Sequence, residues 1–542
     1  LFVENPDCIL TLLISIIVLG FCKTLKFSIF QGFTSYFKQD SLHFCRIVFY
    51  VKYINLIHKR KGRESCMKPT QLTFSDFIDD FHKYIVIKKP MLLHLLEQFI
   101  NVEELIPLSW HLNYNKRVGR HHNNSLTSIV STLLLQKLLS IPGPSLLVTF
   151  LSYSKELRDF CGLKSVPDPS FYSRFKQDYS DDIENFFHKL VDITEPICQE
   201  IAQTLEKELG FNPAELYIMD TTGIECYVKE NNPKFFNALV KKLQHLNKDK
   251  PKEDIYKMAY NQMPKSASAD PNVKLQYING TFCYAHKAVV VSNALGIIRH
   301  LDFCDYQPDT NNTNLNSPEE TKLTWDGKLL IPAMNNFFNR HPNFNIWALT
   351  ADSGFDHVPN YKYLFEKHGI LPVIALNPRN TKQDFGKPGF NEYGIPTCPK
   401  APSLPMKWDG SCKGKNRALR NKFICPKTTK LPSGKYICSC ENKCTTSNCG
   451  RMFYTYPKDN YRVNTPIPRG TELWDKIADC RHIIEQVISR LKLPLQLGSI
   501  KARNRRTIKA DLFMAGAAHL IIVLLAYRMG AIDKIRSVKS IA

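Results

Sequence analysis

The sequence lacks an apolar run of the roughly 20 residues that a membrane-spanning helix requires. Its two longest apolar stretches, residues 8–22 and 512–527, each span about 15 residues, and His519 interrupts the second. The first stretch also lacks the basic n-region and the small-residue cleavage site of a signal peptide. We therefore expect no membrane partner, and we expect residues 512–527 to form a buried helix.

Acidic residues are scarce relative to basic ones. The 542-residue chain has 50 Asp and Glu against 72 Lys and Arg, which gives a formal net charge of +22. Such a surplus predicts a polyanionic partner, because neutralised phosphates release counterions and give sequence-independent affinity. An apolar content of 44% excludes a disordered chain. No internal repeat is evident, and the length predicts two or three domains.

Methionine is absent before Met67, and residues 1–66 contain few acidic residues and weak turn signals. One interpretation is that residues 1–66 are translated sequence upstream of the true start. Residues 67–205 carry apolar residues at three- and four-residue spacing, which predicts a helical N-terminal domain. We expect this domain to bind DNA. Arg174 and Lys176 lie on a short predicted helix there. A helix-turn-helix contact with DNA and plain helical packing both remain open for this helix.

The pattern changes after residue 206. Short apolar runs predict strands, and longer periodic segments predict helices at 326–339 and 361–369. The predicted strands are 215–220, 282–292, 297–303, 345–352 and 370–376. We expect an α/β catalytic core formed by residues 206–377 and completed by 474–542. A Lys- and Asn-rich stretch at 229–275 predicts an exposed loop or a helical arm.

Three carboxylates have a pattern that predicts a metal site. Asp220 and Asp352 each end a predicted buried strand, and Glu485 lies on an amphipathic helix predicted over 478–492. A single strand-end aspartate is usually a turn or capping residue, and Arg481 with Glu485 is an ordinary i,i+4 pair. Together, however, the carboxylates supply the oxygen ligands that Mg²⁺ prefers, and two such ions can clamp a phosphoryl displacement. Arg481 and Lys492 would then bind the flanking DNA phosphates.

These motifs resemble a known family. Asp220 in "IMDTTGIE", Asp352 in "TADSGFD" and Glu485 resemble the DDE triad of bacterial insertion-sequence transposases, which have a ribonuclease-H-like core. The spacing of Arg481, Glu485 and Lys492 is similar to the Tyr-Arg-Glu-Lys signature of one group of these enzymes. Ala478 occupies the position of the signature tyrosine. The segment "ELRDFCGLKSVPDPSFYSRFKQD" (156–178) resembles their helical N-terminal segment.

The resemblance implies a fold and an activity. The fold is α/β, with a ribonuclease-H-like mixed sheet flanked by helices. The activity is metal-dependent cleavage at element ends followed by strand transfer, with Mg²⁺ or Mn²⁺ held by Asp220, Asp352 and Glu485. The implied partners are double-stranded DNA (terminal inverted repeats and target) and a second copy in a homodimer, in a bacterial, nucleoid-associated, cytoplasmic location. A metal-dependent nuclease and an inactive remnant that only binds DNA remain alternatives.

Residues 378–473 predict a cysteine-rich, β-rich insertion between the last core strand and the Glu485 helix. The segment holds seven of the 17 cysteines. Their density predicts a structural Zn²⁺ site, although the spacing departs from the paired C-x₂₋₄-C pattern. The candidate ligands are Cys425, Cys438, Cys440 and Cys444, with Cys398 and Cys449 nearby. A reduced, metal-free insertion is the alternative, and a disulfide framework is disfavoured in a reducing cytoplasm.

A basic tract, "SIKARNRRTIK" (499–509), follows the Glu485 helix. It is predicted to contact the DNA backbone, and a solvated loop is the alternative. Its cations are Lys501, Arg503, Arg505, Arg506 and Lys509. His286 and Lys287 lie on the second predicted strand, where they either face the carboxylates or satisfy the core.

Overall fold

The structure is a computed structural model that describes residues 91–116, 122–278, 281–304, 326–377, 387–413 and 418–536. All of these residues belong to one compact unit, Ile78–Ala542. The described chain is mixed α/β, with one large mixed sheet and many helices. Residues 1–66, including the apolar stretch 8–22, lie outside the described residues. The predicted domain boundaries stay predictions.

The chain up to residue 209 is helical wherever it is described. Ser125 caps the N-terminus of one helix, because its hydroxyl accepts a hydrogen bond from the Ser128 backbone N–H. Gly143 and Pro144 end the preceding connection and start the next helix. The helices are α1 (Met91–Phe99), α2 (Val102–Leu105), α3 (Leu108–Tyr114), α4 (Leu126–Leu138), α5 (Pro144–Tyr153), α6 (Lys155–Cys161), α7 (Pro169–Asp178) and α8 (Ser180–Leu209).

A seven-stranded mixed sheet follows these helices. Its order is β2-β3-β4-β1-β6-β7, and β5 also pairs with β4. Strand β1 is antiparallel to β4 and parallel to β6, which is parallel to β7. The strands are β1 (Leu216–Glu225), β2 (Ser266–Ala267), β3 (Asp270–Ile278), β4 (Thr281–Asn293), β5 (Ile298–Phe303), β6 (Ala348–Ala351) and β7 (Leu371–Ile374). All five predicted strands are present, but β1 continues past its predicted end at Asp220 to Glu225. The polar β2 and β3 were not predicted.

Helices lie between and after these strands. The segment 229–275 is the predicted helical arm, with two helices before it joins the sheet. The helices are α9 (Pro233–Leu246), α10 (Lys252–Asn261), α11 (Asp326–Arg340), α12 (Val358–Lys362), α13 (Glu472–Asp479), α14 (His482–Lys492) and α15 (Arg505–Arg528). A wider helical turn, Tyr363–Lys367, continues α12 to the predicted end at Gly369.

Two cores cover the two faces of the sheet, because successive side chains of a strand point to opposite faces. Leu216 and Ile218 of β1 pack in the larger core with α8, α14 and α15. Tyr217 and Met219 pack in the smaller core with α11. Helix α15 is long and apolar enough to cross a membrane, but 94% of its most apolar window is buried in the protein. The predicted buried helix over 512–527 is therefore confirmed.

The stretch between β7 and α13 contains seven short strands in its described part. They form a three-stranded sheet, β10-β11-β14, and two two-stranded sheets, β8-β9 and β12-β13. The strands are β8 (Thr397–Cys398), β9 (Ala401–Pro405), β10 (Lys407–Cys412), β11 (Arg420–Ile424), β12 (Thr428–Lys430), β13 (Tyr436–Cys438) and β14 (Met452–Thr455). After β14 the chain returns to the core, where Arg462 lies 2.6 Å from the Asp356 carboxylate.

One helix prediction is wrong in its extent. The apolar periodicity of residues 478–492 predicts one helix, but the structure has two, α13 and α14, with Cys480 and Arg481 in the turn between them. Ala478 ends up near the end of α13, partly buried against the larger core. Despite the break, Arg481 and Glu485, four residues apart, remain in contact.

Candidate active site

Two neighbouring parallel strands bring Asp220 and Asp352 together. The pairing of β1 with β6 places Met219 opposite Ala351, so the next residues, Asp220 and Asp352, lie at the same level. The alternation along β1 puts Asp220 on the face of Ile218, which is the face that α14 covers. The two aspartates predicted from separate strand ends are therefore neighbours.

The electrostatics of the two aspartates reflect this closeness. Burial raises the pKa of Asp220 to about 6, and the negative charge of Asp352 adds to the increase. Burial and the charge of Asp326 raise the pKa of Asp352. The backbone N–H of Thr221, 2.7 Å from Asp220 Oδ1, and that of Gly354, 2.9 Å from Asp352 Oδ1, favour the ionised forms. The site thus holds carboxylates that oppose each other's ionisation.

A third aspartate, Asp326, belongs to this group and was not predicted. The Thr221 hydroxyl donates a 2.8 Å hydrogen bond to Asp326 Oδ1. A Cβ placed on Gly354 would lie 3.0 Å from Asp352 Oδ1 and 3.2 Å from Asp326 Oδ2, so both carboxylates border this glycine. Asp326 is the first residue of α11, a position where aspartate is common for helix stability alone. No signal in the sequence distinguished it from such a residue.

The strand β4 presents Lys287 and His286 to opposite faces of the sheet. Lys287 forms an ion pair with Asp326 and its positive charge lowers the pKa of Asp352. The buried His286 instead has its Nε2 3.6 Å from the Asp270 carboxylate. The pairing of Asp220 with Val290 places His286 on the face of Asp220, where it contacts Asp270, and Lys287 on the opposite face, where it contacts Asp326. Lys287 thus pairs with a carboxylate of the acidic site, and that carboxylate is Asp326.

Helix α14 and the turn before it place two cations beside the aspartates. The charge of Arg481 lowers the pKa values of both Asp220 and Asp352. Burial lowers the pKa of Lys492, and the charge of Asp220 opposes that change. The Glu485 carboxylate lies 2.9 Å from the Arg481 guanidinium, with 55% of its side chain exposed. The predicted third carboxylate is thus linked to the aspartates through Arg481.

The described ranges contain no preformed metal-binding site. Across them, no three or more His, Cys, Asp or Glu side chains form a group that could hold a metal ion. This finding covers the acidic site and the cysteines of the insertion alike. Asp220, Asp352 and Glu485 as ligands therefore stay a prediction, as does the zinc site.

Some of the cysteines of the insertion lie close together in the structure. A Cβ on Gly450 would lie 3.4 Å from the Cβ of Cys438 and 3.5 Å from that of Cys425. The Cys440 backbone N–H, together with neighbouring thiols that include Cys425, lowers the pKa of the Cys438 thiol. Cys444 shows no such contact with them. All the insertion cysteines, which are described in full, are free thiols.

The structure divides the basic tract into two parts. Lys501 and Arg503 are exposed on the segment before α15. Arg505, Arg506 and Lys509 lie in the first turns of α15, so the solvated-loop alternative is wrong for them. Arg506 lies 3.2 Å and Lys509 3.1 Å from the Asp181 carboxylate of α8, and Lys509 also pairs with Glu184.

The two cations of helix α7 differ in their exposure to solvent. Lys176 is buried and lies 2.7 Å from the Asp511 carboxylate of α15, whereas Arg174 is mostly exposed. The side chains of Tyr172 and Phe175 are buried in the larger core. Helix α7 therefore packs against α15 through an ion pair as well as apolar contacts, and only Arg174 of the two predicted cations is open to solvent.

The comparison with known families adds to this geometry. Residues 81–178 match a family model described as a transposase domain (DUF772). This match supports a transposase family for the chain, with DNA as its partner in general terms. No curated protein matches the chain. The matched segment ends at α7 and does not include the acidic site.

Proposed function

We propose that this protein is a DDE transposase that cleaves DNA at element ends and transfers the freed strand to target DNA. The proposal is based on the position of Asp220 and Asp352, which lie next to each other on adjacent parallel strands, with α14 packed beside them. The sheet is mixed and flanked by helices, as the resemblance to a ribonuclease-H-like core implies. The transposase-domain match of residues 81–178 supports the same class independently.

The acidic site fits a divalent cation in its chemistry. Asp220, Asp352 and the nearby Asp326 concentrate negative charge in a partly buried place, and the raised pKa values show the resulting cost. Carboxylate oxygens are the ligands that Mg²⁺ and Mn²⁺ prefer. Asp220, Asp352 and Glu485 would hold the cation, which supplies electrostatic stabilisation of the attacking and leaving oxygens in a phosphoryl displacement. In that role Glu485 would give up its contact with Arg481.

The cations around the site would position DNA. Arg481 and Lys492 flank Asp220 on the face that α14 covers, where they can bind phosphates on either side of the cleaved bond. Water attacks the phosphorus, and the bond to the 3′ oxygen breaks to leave a 3′-OH and a 5′-phosphate. The 3′-OH then attacks a target phosphodiester and displaces its 3′ oxygen. Most catalysis of such a transfer is positioning and electrostatic stabilisation.

Three outcomes separate the candidate activities. The purified chain is incubated with labelled DNA that carries either an intact or a pre-cut element end, with Mg²⁺, Mn²⁺ or Ca²⁺. Joined products in Mg²⁺ or Mn²⁺ support the transposase, nicks alone support a nuclease, and bound DNA without products supports an inactive remnant. Asp352→Asn should abolish both reactions while DNA binding persists, because an amide keeps the shape but loses the charge. Lys155→Gln, an exposed change on α6, serves as the control.

The expected DNA partners, oligomeric state and structural metal follow from the proposed transposase function. The DNA partners are the terminal inverted repeats of the element and its target, bound by a homodimer in a bacterial cytoplasm. The cysteine cluster around Cys425, Cys438 and Cys440 is proposed to hold a structural Zn²⁺, with Cys444 as the fourth ligand.

A further inference from the structure

A cavity of about 430 Å³ lies between α4, α7 and the start of α15, apart from the acidic site. Four basic side chains line it, and Asp511 is the only acidic residue among its lining residues. Two of the cations, Lys137 and Lys176, lie in its interior with Asp511. The other two, Lys501 and Arg503, are exposed and belong to the basic tract.

The interior of this cavity holds two lysines and one aspartate, so its formal charges do not balance. The Lys137 ammonium lies 2.8 Å and the Lys176 ammonium 2.7 Å from the same oxygen of Asp511. All three residues are at least 96% buried. One carboxylate neutralises one ammonium, so a charge remains that burial makes costly unless another anion compensates it. Burial accordingly lowers the pKa of Lys137, and Asp511 opposes this effect.

A hydrogen-bonding group in the same cavity also lacks a partner. Thr507 lines the cavity and is 94% buried, and its hydroxyl has no hydrogen-bond partner in the structure. Buried hydroxyls are normally hydrogen-bonded, so the Thr507 hydroxyl is available to a molecule that enters the cavity. Its position one turn into α15 is three residues from Asn504, whose side chain caps the helix.

The mouth of the cavity is attached to the strand that carries Asp220. The backbone N–H of Tyr227 donates to the carbonyl of Ala502, and the Arg503 guanidinium lies 5.4 Å from the Tyr227 ring centroid. From Asp220 to Tyr227 the chain is mostly the strand β1, at about 3.3 Å per residue, so the separation is roughly 20 Å. This distance corresponds to about six nucleotides at 3.4 Å per step.

We propose that this cavity binds one backbone phosphate of DNA, held by Lys137, Lys176 and Thr507 and admitted past Lys501 and Arg503. The proposal rests on the proposed function in taking DNA as the anion. It assigns a second, non-catalytic contact about six nucleotides from the cleaved bond. Asp511 keeps the two ammonium groups in place, and the phosphate supplies the negative charge that the cavity lacks.

The test measures how DNA binding depends on salt. Each neutralised phosphate contributes about 0.9 to the slope of log K against log salt. Lys137→Met and Lys176→Met each leave a balanced lysine–aspartate pair, so each should remain folded and should lower the slope by about 0.9. The double variant should lose the same single increment, because both lysines bind one phosphate. Lys155→Met, an equal change of charge on the surface of α6, is the control.

Two results of this measurement would overturn the proposal. An unchanged slope in a folded Lys176→Met protein would mean that the triad is only structural. A loss of about 1.8 in the double variant would mean that the lysines contact separate phosphates. Both measurements use a duplex without an element end and without divalent metal. A failure here is therefore distinct from a failure of the proposed cleavage activity.

A second variant keeps the test decisive if the lysine variants do not fold. Thr507→Val removes a hydroxyl that has no partner in the protein, so folding should be unaffected. DNA affinity should fall about tenfold with the loss of a charge-assisted hydrogen bond. Neutral methylphosphonates are then placed singly along an element end. The substitution about six nucleotides from the cleaved bond should weaken binding to the wild type more than binding to Thr507→Val, in which only the lysines still contact this phosphate; equal weakening of both would contradict the assignment.

Discussion

The guanidinium of Arg481 lies 2.9 Å from the carboxylate of Glu485, and the two side chains are 39% and 55% exposed. By itself this is a surface i,i+4 pair of the less favourable order, worth about 0.2–0.5 kcal/mol. The same guanidinium, however, lowers the pKa values of Asp220 and Asp352. Arg481 therefore links Glu485 to the aspartates, and the pair can open at little cost when a cation enters.

Glu485→Gln separates a surface pair from a catalytic ligand. We expect loss of DNA cleavage and end joining by at least about a hundredfold, because the variant lacks the charge that holds a hard cation. The free energy of unfolding should change by at most about 0.5 kcal/mol. Glu472→Gln is a matched control, since Glu472 forms an i,i+4 pair with Lys476 at 2.8 Å on α13. Normal end joining by Glu485→Gln would remove the catalytic assignment.

Asp220→Asn should change the pH dependence of stability. The folded-state pKa of about 6 lies above the usual 3.8, so the folded state binds more protons and the free energy of unfolding falls as pH rises through this window. Without metal, the variant should be more stable than the wild type above pH 6, by at most about 3 kcal/mol. The difference should vanish below about pH 4. Urea unfolding at a series of pH values measures it.

The control for this pH series is Asp168→Asn. Hydrogen bonds from Ser170 and Phe171 lower the pKa of Asp168, so its stabilising effect is present at neutral pH and is lost in acid. The two variants should therefore differ from the wild type in opposite directions at pH 7. Equal behaviour of both variants would show that the pKa of Asp220 is not raised in the folded protein by burial and the neighbouring Asp352.

The two parts of the basic tract should contribute unequally to DNA binding. Lys501→Gln with Arg503→Gln should reduce the slope of log K against log salt by about 1.8, because both cations are exposed. Arg506→Gln with Lys509→Gln should reduce it by less, since these cations already pair with carboxylates of α8. Fluorescence anisotropy over a salt range tests both pairs. A larger effect from the second pair would place the DNA path along α8.

Asp356 should contribute to the stability of the fold that positions the acidic site. It is buried and accepts hydrogen bonds from Arg462, which follows β14, and from Tyr361. Asp356→Asn leaves the buried guanidinium without its counter-charge, so we expect a loss of about 3–5 kcal/mol in urea unfolding. Asp409→Asn breaks the half-buried pair with Lys422 and should cost less than about 1 kcal/mol. Similar losses from the two variants would contradict the buried-pair account.

The zinc proposal is tested by metal analysis of protein expressed in zinc-replete medium. We expect about one equivalent of Zn²⁺, lost in Cys438→Ser because this residue lies beside both Cys425 and Cys440. Cys161→Ser, in the distant helical part, should keep the metal. Protein that contains essentially no zinc would leave the insertion as a metal-free module.

The sequence alone was sufficient for the features that depend on local pattern. Short apolar runs predicted the strand that carries Asp220 and the strand that ends just before Asp352, although β1 continues to Glu225, and the composition of 512–527 predicted a buried helix. Spacing along one helix likewise predicted the contact between Arg481 and Glu485. Each of these depends on residues only a few positions apart, where the period of a helix or strand determines which side chains meet.

Tertiary structure alone decided the features that join distant segments. The register of β1 with β6 placed the aspartates side by side, and the packing of α11 brought Asp326 to Lys287 of β4. Asp326 reached the site from the start of α11, and Asp511 met Lys137 and Lys176 across more than 300 residues. Local sequence patterns cannot predict such contacts. Strand pairing and helix packing bring together residues that are far apart in the sequence, and the residues next to each one do not indicate its partner.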